Sequence, residues 1–246
     1  MLVVKTATRS DLGRLRERNE DSCGEFEPES GQQLLVVADG MGGHRAGDTA
    51  SRIAVETIAE KMQAPSTEPL EARLRHAFEA ASERIHTMAS RDSSLAGMGT
   101  TGVALLLDPG GNSLVAHVGD SRAYRMRGKR LEALTADHSV VAELERRGMM
   151  TRQEAAVHPR RNELLRSLGV EPRVEVEVSP VSVEPGDRFL LCSDGLTGVV
   201  PNEDIAAVLD REDPEEAVRT LIDLANNRGG PDNITVQIAI VKGDVA

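Results

Sequence analysis

The residues most able to do chemistry lie in Leu34 to Gly47, LLVVADGMGGHRAG. Five apolar residues, Leu34 to Ala38, read as a short buried strand. The strand is expected to end at Asp39, and glycine follows at positions 40, 42, 43 and 47. A carboxylate at the end of a buried strand is costly unless a cation or hydrogen-bond donors compensate it. Glycine beside it lets the backbone pass close and offer its own carbonyls and amides. His44 follows, and a helical pattern begins at Ala46. One turn therefore presents a carboxylate, free backbone groups and an imidazole, which suits a hard cation and a phosphate. Taken alone, the same residues also fit a tight strand-to-helix turn with a solvated Asp and a surface His.

The pattern recurs. Leu114 to Val118 runs into Gly119-Asp120, Phe189 to Cys192 into Ser193-Asp194-Gly195, and Gly229-Gly230-Pro231-Asp232 precedes the apolar run Ile234 to Val241. Glu20 and Asp21 close a charged segment in which Arg14, Arg16 and Arg18 alternate, which in a strand would put them on one face. Any one of these acids is an ordinary turn residue. Their recurrence at separate strand ends points to convergence. No Cys/His cluster competes, so the ligand set is oxygen and favours Mg²⁺ or Mn²⁺ over Zn²⁺. More than three carboxylates in one pocket repel one another unless more than one divalent ion is present. Two ions sharing a carboxylate and a water would generate hydroxide near neutral pH for in-line attack on phosphorus.

The elements that must position these groups are legible from periodicity. Residues 2 to 8 read as a first strand. Ala46 to Met62 and Leu70 to Ala89 carry helical apolar stripes. Val103 to Leu107 and Leu114 to Val118 flank the turn DPGGNS as a hairpin, with Ala123 to Met126 and Leu131 to Leu134 as further strands. Val140 to Arg147 reads as a helix, and Thr151 with Glu154 as the capping box of another. Residues 139 to 168 show no strand pattern, and Arg160, Arg161 and Arg166 make them locally basic, suited to an acidic or phosphorylated partner or simply to solvent. Val174 to Val178 alternates as a half-exposed strand. Asn202 to Leu209 and Asp213 to Asn227 read as helices. His76, His86 and His117 fit ordinary helix-surface or sheet positions better than ligand roles.

Composition narrows the classes. The 246 residues are 39% hydrophobic with 2% aromatic, so aliphatic side chains must fill the core. A net charge of −11 argues against a general nucleic-acid or anionic-membrane binder. Two cysteines make no disulfide framework. The N-terminus lacks the apolar core of a signal peptide, and no apolar run reaches the ~18 residues of a membrane span. A soluble, cytoplasmic protein is expected.

The segments LRERNEDS, VVADGMGGHRAGDTAS, GTT, HVGDSRAYR, LTADHS, LLCSDGLT and GGPDNITV resemble, in order and spacing, the metal-dependent PP2C-type (PPM) protein Ser/Thr phosphatases of bacteria. The resemblance spans about Thr6 to Val241. It implies an α+β fold, a four-layer α-β-β-α sandwich of two antiparallel sheets flanked by helices, with residues 1–246 as one catalytic domain and 139–168 as a flap that helps choose substrates. It also implies roles. Asp39 would bridge two Mn²⁺ or Mg²⁺ ions, with the Gly40 carbonyl on one. Asp194 and Asp232 would hold the first ion, and Asp21 with Glu20 the second. Asp120 with Asp194 would form a weaker third site. Arg16 would clamp the substrate phosphate, and His44 would protonate the leaving alkoxide. Some members carry an Asp where this chain has Gly198, so a third ion would rest on fewer ligands. Phosphorylated proteins, a cognate Ser/Thr kinase among them, are the expected partners of a monomer. A catalytically silent phosphoprotein binder and a small-molecule phosphohydrolase are the alternative readings.

Overall fold

Strands buried on both faces read as continuous apolar runs, and alternate residues then serve two different cores. In the computed structural model, which describes residues 3–29, 31–42 and 46–243, that division builds the molecule. The elements are β1 (Val3–Asp11), β2 (Asp21–Phe26), β3 (Gln33–Met41), α1 (Ala46–Gln63), α2 (Leu70–Arg91), β4 (Gly99–Thr100), β5 (Gly102–Leu107), β6 (Leu114–Val118), β7 (Arg122–Arg127) and β8 (Arg130–Ala133). After them come α3 (Val140–Arg146), α4 (Arg152–Ala156), β9 (Glu177–Pro180), β10 (Arg188–Cys192), α5 (Asp194–Thr197), α6 (Asn202–Arg211), α7 (Pro214–Asn227) and β11 (Ile234–Lys242). One sheet has the order β1-β11-β10-β7-β8. The other runs β2-β3-β5-β6-β9, with β4 paired to β3, and the pairings are antiparallel.

Leu34, Val36 and Ala38 of β3 pack with Ile53, Ile58, Leu74 and Phe78 of α1 and α2. Leu35 and Val37, pointing the other way, meet Phe189 and Leu191 of β10 and Ala239 and Val241 of β11 between the sheets. Leu190 and Cys192 of β10, with Val236 and Ile238 of β11, face Ile205, Leu221 and Ile222 of α6 and α7. The result is the expected four-layer α-β-β-α sandwich.

Three details differ from the sequence reading. β3 runs two residues past Asp39, because Gly40 and Met41 pair with Thr100 and Gly99 of β4. Residues 12–20 form a loop rather than an alternating strand, so Arg14, Arg16 and Arg18 do not share a strand face. The strand expected over 174–178 lies at Glu177–Pro180, opposite β6. Val174 and Val176 instead pack on the α1/α2 core, and the Val176 carbonyl accepts from Arg75.

Candidate metal and phosphate site

Strand direction brings the acids to one end of the sandwich. Asp39 shares the inter-sheet face of Leu35 and Val37 by the two-residue period of β3. Asp21 opens β2 directly opposite Asp39 in the ladder, so both carboxylates project from one face. Asp120 lies two residues beyond β6, and Asp194 starts α5 two residues beyond β10. Asp232 precedes β11, whose start lies beside the end of β10.

Side chains from the strand ends fasten this arrangement. Ser193 Oγ and Thr235 Oγ1 each donate to Asp21 Oδ2 at 2.7 Å. Thr101 Oγ1 accepts the Asp39 N–H at 3.0 Å and lies 2.7 Å from Ser121 Oγ, while Thr100 Oγ1 donates to the Asp39 carbonyl at 2.8 Å. Asn233 ties down the 12–20 loop: its Nδ2 donates to the Leu12 and Arg18 carbonyls, both at 2.9 Å, and its Oδ1 accepts the Glu20 N–H at 2.8 Å. The loop so held aims Arg16 at the rim, where Nη2 donates to Asp232 Oδ2 at 2.6 Å. Gly40 admits no side chain, since a Cβ there would lie 2.1 Å from the Gly47 carbonyl oxygen and 2.6 Å from that of Glu20.

The electrostatics follow from burial and crowding. Burial, then the Asp21, Asp194, Asp120 and Asp232 charges, hold Asp39 well above the usual carboxylate range. Burial pushes Asp21 up to about 7, helped by Asp194 and Asp232 and opposed by the Thr235 and Ser193 hydroxyls. Burial and then Asp194 push Asp120 up to about 7. Asp194 is raised by burial and by Asp232, and Glu20 by burial. Asp21 Oδ1 and Asp194 Oδ1 are buried without a hydrogen-bond partner. Orphaned buried carboxylate oxygens converging in a half-buried cluster are the donor set of a hard divalent cation, so these residues fit Mn²⁺ or Mg²⁺.

Of the residues singled out from sequence, Asp21, Asp39, Asp120, Asp194 and Asp232 thus lie in one cluster, with Arg16 and Glu20 at its rim and Gly40 wedged beside it. His44 lies outside the described residues. Sequence reasoning passed over Thr101, Ser193, Asn233 and Thr235, although Ser193 lies in SDG and Asn233 and Thr235 in PDNIT, each with a site aspartate, while Thr101 of GTT meets Asp39 only through the fold. A cavity of about 310 Å³ adjoins the cluster, lined on one side by Asp120, Asp194 and Gly198 and on the other by Arg152, Arg161 and Asn162 of the 139–168 segment.

The chain is similar to proteins of known activity. The chain is 42% identical to the serine/threonine phosphatase Stp of Listeria welshimeri over 233 residues, covering 93% of this chain and 92% of that one. It superposes on the serine/threonine phosphatase of S. agalactiae with a TM-score of 0.92 at 36% identity, covering 98% of this chain and 100% of that one. It also superposes on the catalytic domain of the phosphatase PstP in complex with two manganese ions, with a TM-score of 0.86 at 36% identity, covering 99% and 100%. The sequence matches the protein phosphatase 2C family over residues 14–233. That span takes in Arg16 at one end and Asp232 at the other, and with them every charged group of the site, so the chain belongs to the protein phosphatase 2C family.

Proposed function

We propose that this metal-dependent protein Ser/Thr phosphatase hydrolyses phosphoserine and phosphothreonine on proteins at the Asp21–Asp39–Asp120–Asp194–Asp232 cluster. The observation that carries the reading is the pair of buried, unpartnered oxygens, Asp21 Oδ1 and Asp194 Oδ1, within a ring of mutually repelling carboxylates. Asp39, the Gly40 carbonyl, Asp194, Asp232, Asp21 and Glu20 would hold two Mn²⁺ or Mg²⁺ ions, with Asp120 and Asp194 offering a weaker third place. Bound there, the ions supply Lewis acidity, which acidifies water and offsets charge on the phosphate.

The chain's own groups do the rest. Ser193 and Thr235 hold Asp21 in place, and Thr100 and Thr101 hold the backbone of Asp39. Arg16 leaves Asp232 to grip two phosphate oxygens, a planar fork matched to that geometry. Attack of hydroxide on phosphorus forms one P–O bond as the bond to the Ser or Thr oxygen breaks, and that oxygen takes a proton from His44 as it leaves. The basic wall of the 139–168 segment faces the protein part of the substrate. Because one inter-sheet core draws on β3, β5, β10 and β11, we read residues 1–246 as a single catalytic domain, with 139–168 as its flap. The two free thiols, Cys23 and Cys192, suit a reducing cytoplasm. A monomer opposing a Ser/Thr protein kinase completes the reading. No helix among the described residues is long and apolar enough to cross a membrane.

The deciding experiment incubates the purified protein with Mn²⁺ and a phosphothreonine peptide. Phosphate release that a chelator abolishes and that Asp39→Asn lacks is expected. Tight peptide binding without turnover would make the chain a phosphoprotein-binding module instead.

A further inference from the structure

His138 stands apart from the carboxylate cluster, yet four residues converge on it. Its side chain is nearly buried, 6% exposed, and its ring stacks on that of His117 with centroids 4.4 Å apart and planes 20° from parallel. Nδ1 accepts the Gly119 N–H at 3.2 Å, while the His138 N–H donates to the Gly119 carbonyl at 2.9 Å. Nε2 faces Glu177 Oε2 at 3.3 Å, and the Leu165 N–H donates to the His138 carbonyl at 2.8 Å.

His117, His138 and Glu177 offer ligand atoms within 4.8 Å of one another. The ring geometry rejects a shared ion. Imidazole lone pairs lie in the ring plane, and two stacked rings point theirs side by side rather than at a common centre. A backbone N–H also occupies Nδ1 of His138, which assigns its proton to Nε2, where a metal would need the lone pair. Metal-bound histidines instead donate their second N–H to an acceptor. Burial holds both rings below the usual His range, so both are neutral near pH 7.

What the contacts do is fasten. Gly119 has φ +102°, and a Cβ there would lie 2.7 Å from the Thr101 side chain, so only glycine can make this turn. The turn presents both its N–H and its C=O to His138 and then delivers Asp120. On the other side of His138 the two ends of the 139–168 segment close: the Val140 N–H donates to the Glu163 carbonyl at 2.9 Å, and Ser139 bridges to Leu164. The neighbours of His138 add to the grip. Thr135 Oγ1 accepts the Ala123 N–H, the Ala136 carbonyl takes His117 Nε2, and Asp137 takes Arg122 through two bonds of 2.8 and 2.7 Å.

We propose that His138 is a positioning residue that locks the Gly119–Asp120 turn to both roots of the 139–168 flap, so that the carboxylate floor and the flap keep one common arrangement. This rests on the reading of Asp120 as part of the metal site.

Two amide variants, each placing a polar atom near one ring nitrogen, separate this role from mere packing. Asn keeps an acceptor where Nδ1 lies but cannot reach Glu177, whereas Gln reaches towards Glu177 and loses Gly119. In His138→Gln, hydrogen exchange at the Gly119 and Leu165 amides should quicken together by about tenfold or more. The weaker phase of Mn²⁺ binding by calorimetry should lose about tenfold in affinity. His138→Asn should stay near the wild type in both. The wild type, measured by ¹⁵N NMR, should show His138 with Nε2 protonated and Nδ1 bare. A proton on Nδ1, or Asn and Gln variants that behave alike, would overturn the proposal. Tautomer and exchange need no metal, so they judge His138 even if the wild type gives no Mn²⁺ binding heat, a result that would sink the metal-site reading instead.

Discussion

At the scale of single residues, the site is built by conflicts that only function explains. Asp21 and Asp39 face each other across a ladder, although like charges directly opposite weaken a strand pair. Gly40 carries the same logic into the backbone. Gly40→Ala would place a methyl group 2.1 Å from the Gly47 oxygen at the first turn of α1. Overpacking of that kind costs roughly 1–3 kcal/mol or more. The variant should therefore melt lower and bind Mn²⁺ more weakly, and an unchanged melting temperature would mean that α1 shifts freely. The leaving-group role proposed for His44 has a different signature. A Ser or Thr alkoxide needs a proton as it departs, and an aryl oxide needs it far less. His44→Ala should slow phosphopeptide cleavage by about a hundredfold, with a much smaller loss on p-nitrophenyl phosphate. Equal losses on both substrates would remove His44 from proton transfer.

At the scale of elements, legibility tracked how much apolar surface each segment buries. β3, β10 and β11 serve two cores at once, and their continuous apolar runs are visible in the sequence. β2, DSCGEF, is half-buried and has no such run, so its pairing opposite β3, and with it the face-to-face placement of Asp21 and Asp39, had no local signal. The loop of residues 12–20 was equally opaque. Its alternating arginines mimic a strand face, and what holds it is Asn233, from the far end of the chain. Asp39, Asp120, Asp194 and Asp232 were legible because each sits at or next to a glycine turn at a strand end, whereas Glu20 and Asp21 carry no such mark. The 139–168 segment was visible as a basic, strandless stretch, but only the structure sorts its arginines. Arg160 pairs with Glu163 and Arg166 with Glu175, whereas Arg161 lines the cavity beside Asp120 and Asp194 together with Arg152. Arg161→Ala should therefore raise KM for a phosphopeptide with acidic residues beside the phosphosite by roughly ten- to a hundredfold, the scale of one charge-assisted bond. Its kcat/KM on p-nitrophenyl phosphate should hold. A parallel loss on both substrates would place Arg161 outside peptide recognition.

At the scale of the whole molecule, the cluster makes folding stability depend on protons and cations together. Asp21 and Asp120 titrate near 7 in the folded chain against an ordinary value of 3.8. Between those values the folded state binds more protons than the unfolded state, so stability must fall as pH rises through that window. Below about pH 4 both states are protonated and the penalty vanishes, and above about 7 it is constant. Divalent ions compete for the same oxygens, so their stabilising effect should run the other way with pH. At a hundredfold excess over the dissociation constant, one bound ion adds about 2.7 kcal/mol, or roughly 5–10 °C in Tm for a chain of this length. The Tm difference between Mn²⁺ and chelator should therefore be small at pH 5 and reach that range at pH 7.5. Asp39→Asn removes one of the repelling charges, so it should raise the melting temperature in chelator while erasing most of the Mn²⁺ increment. A pH-independent increment, or an Asp39→Asn variant that Mn²⁺ still stabilises fully, would mean that the ions bind elsewhere.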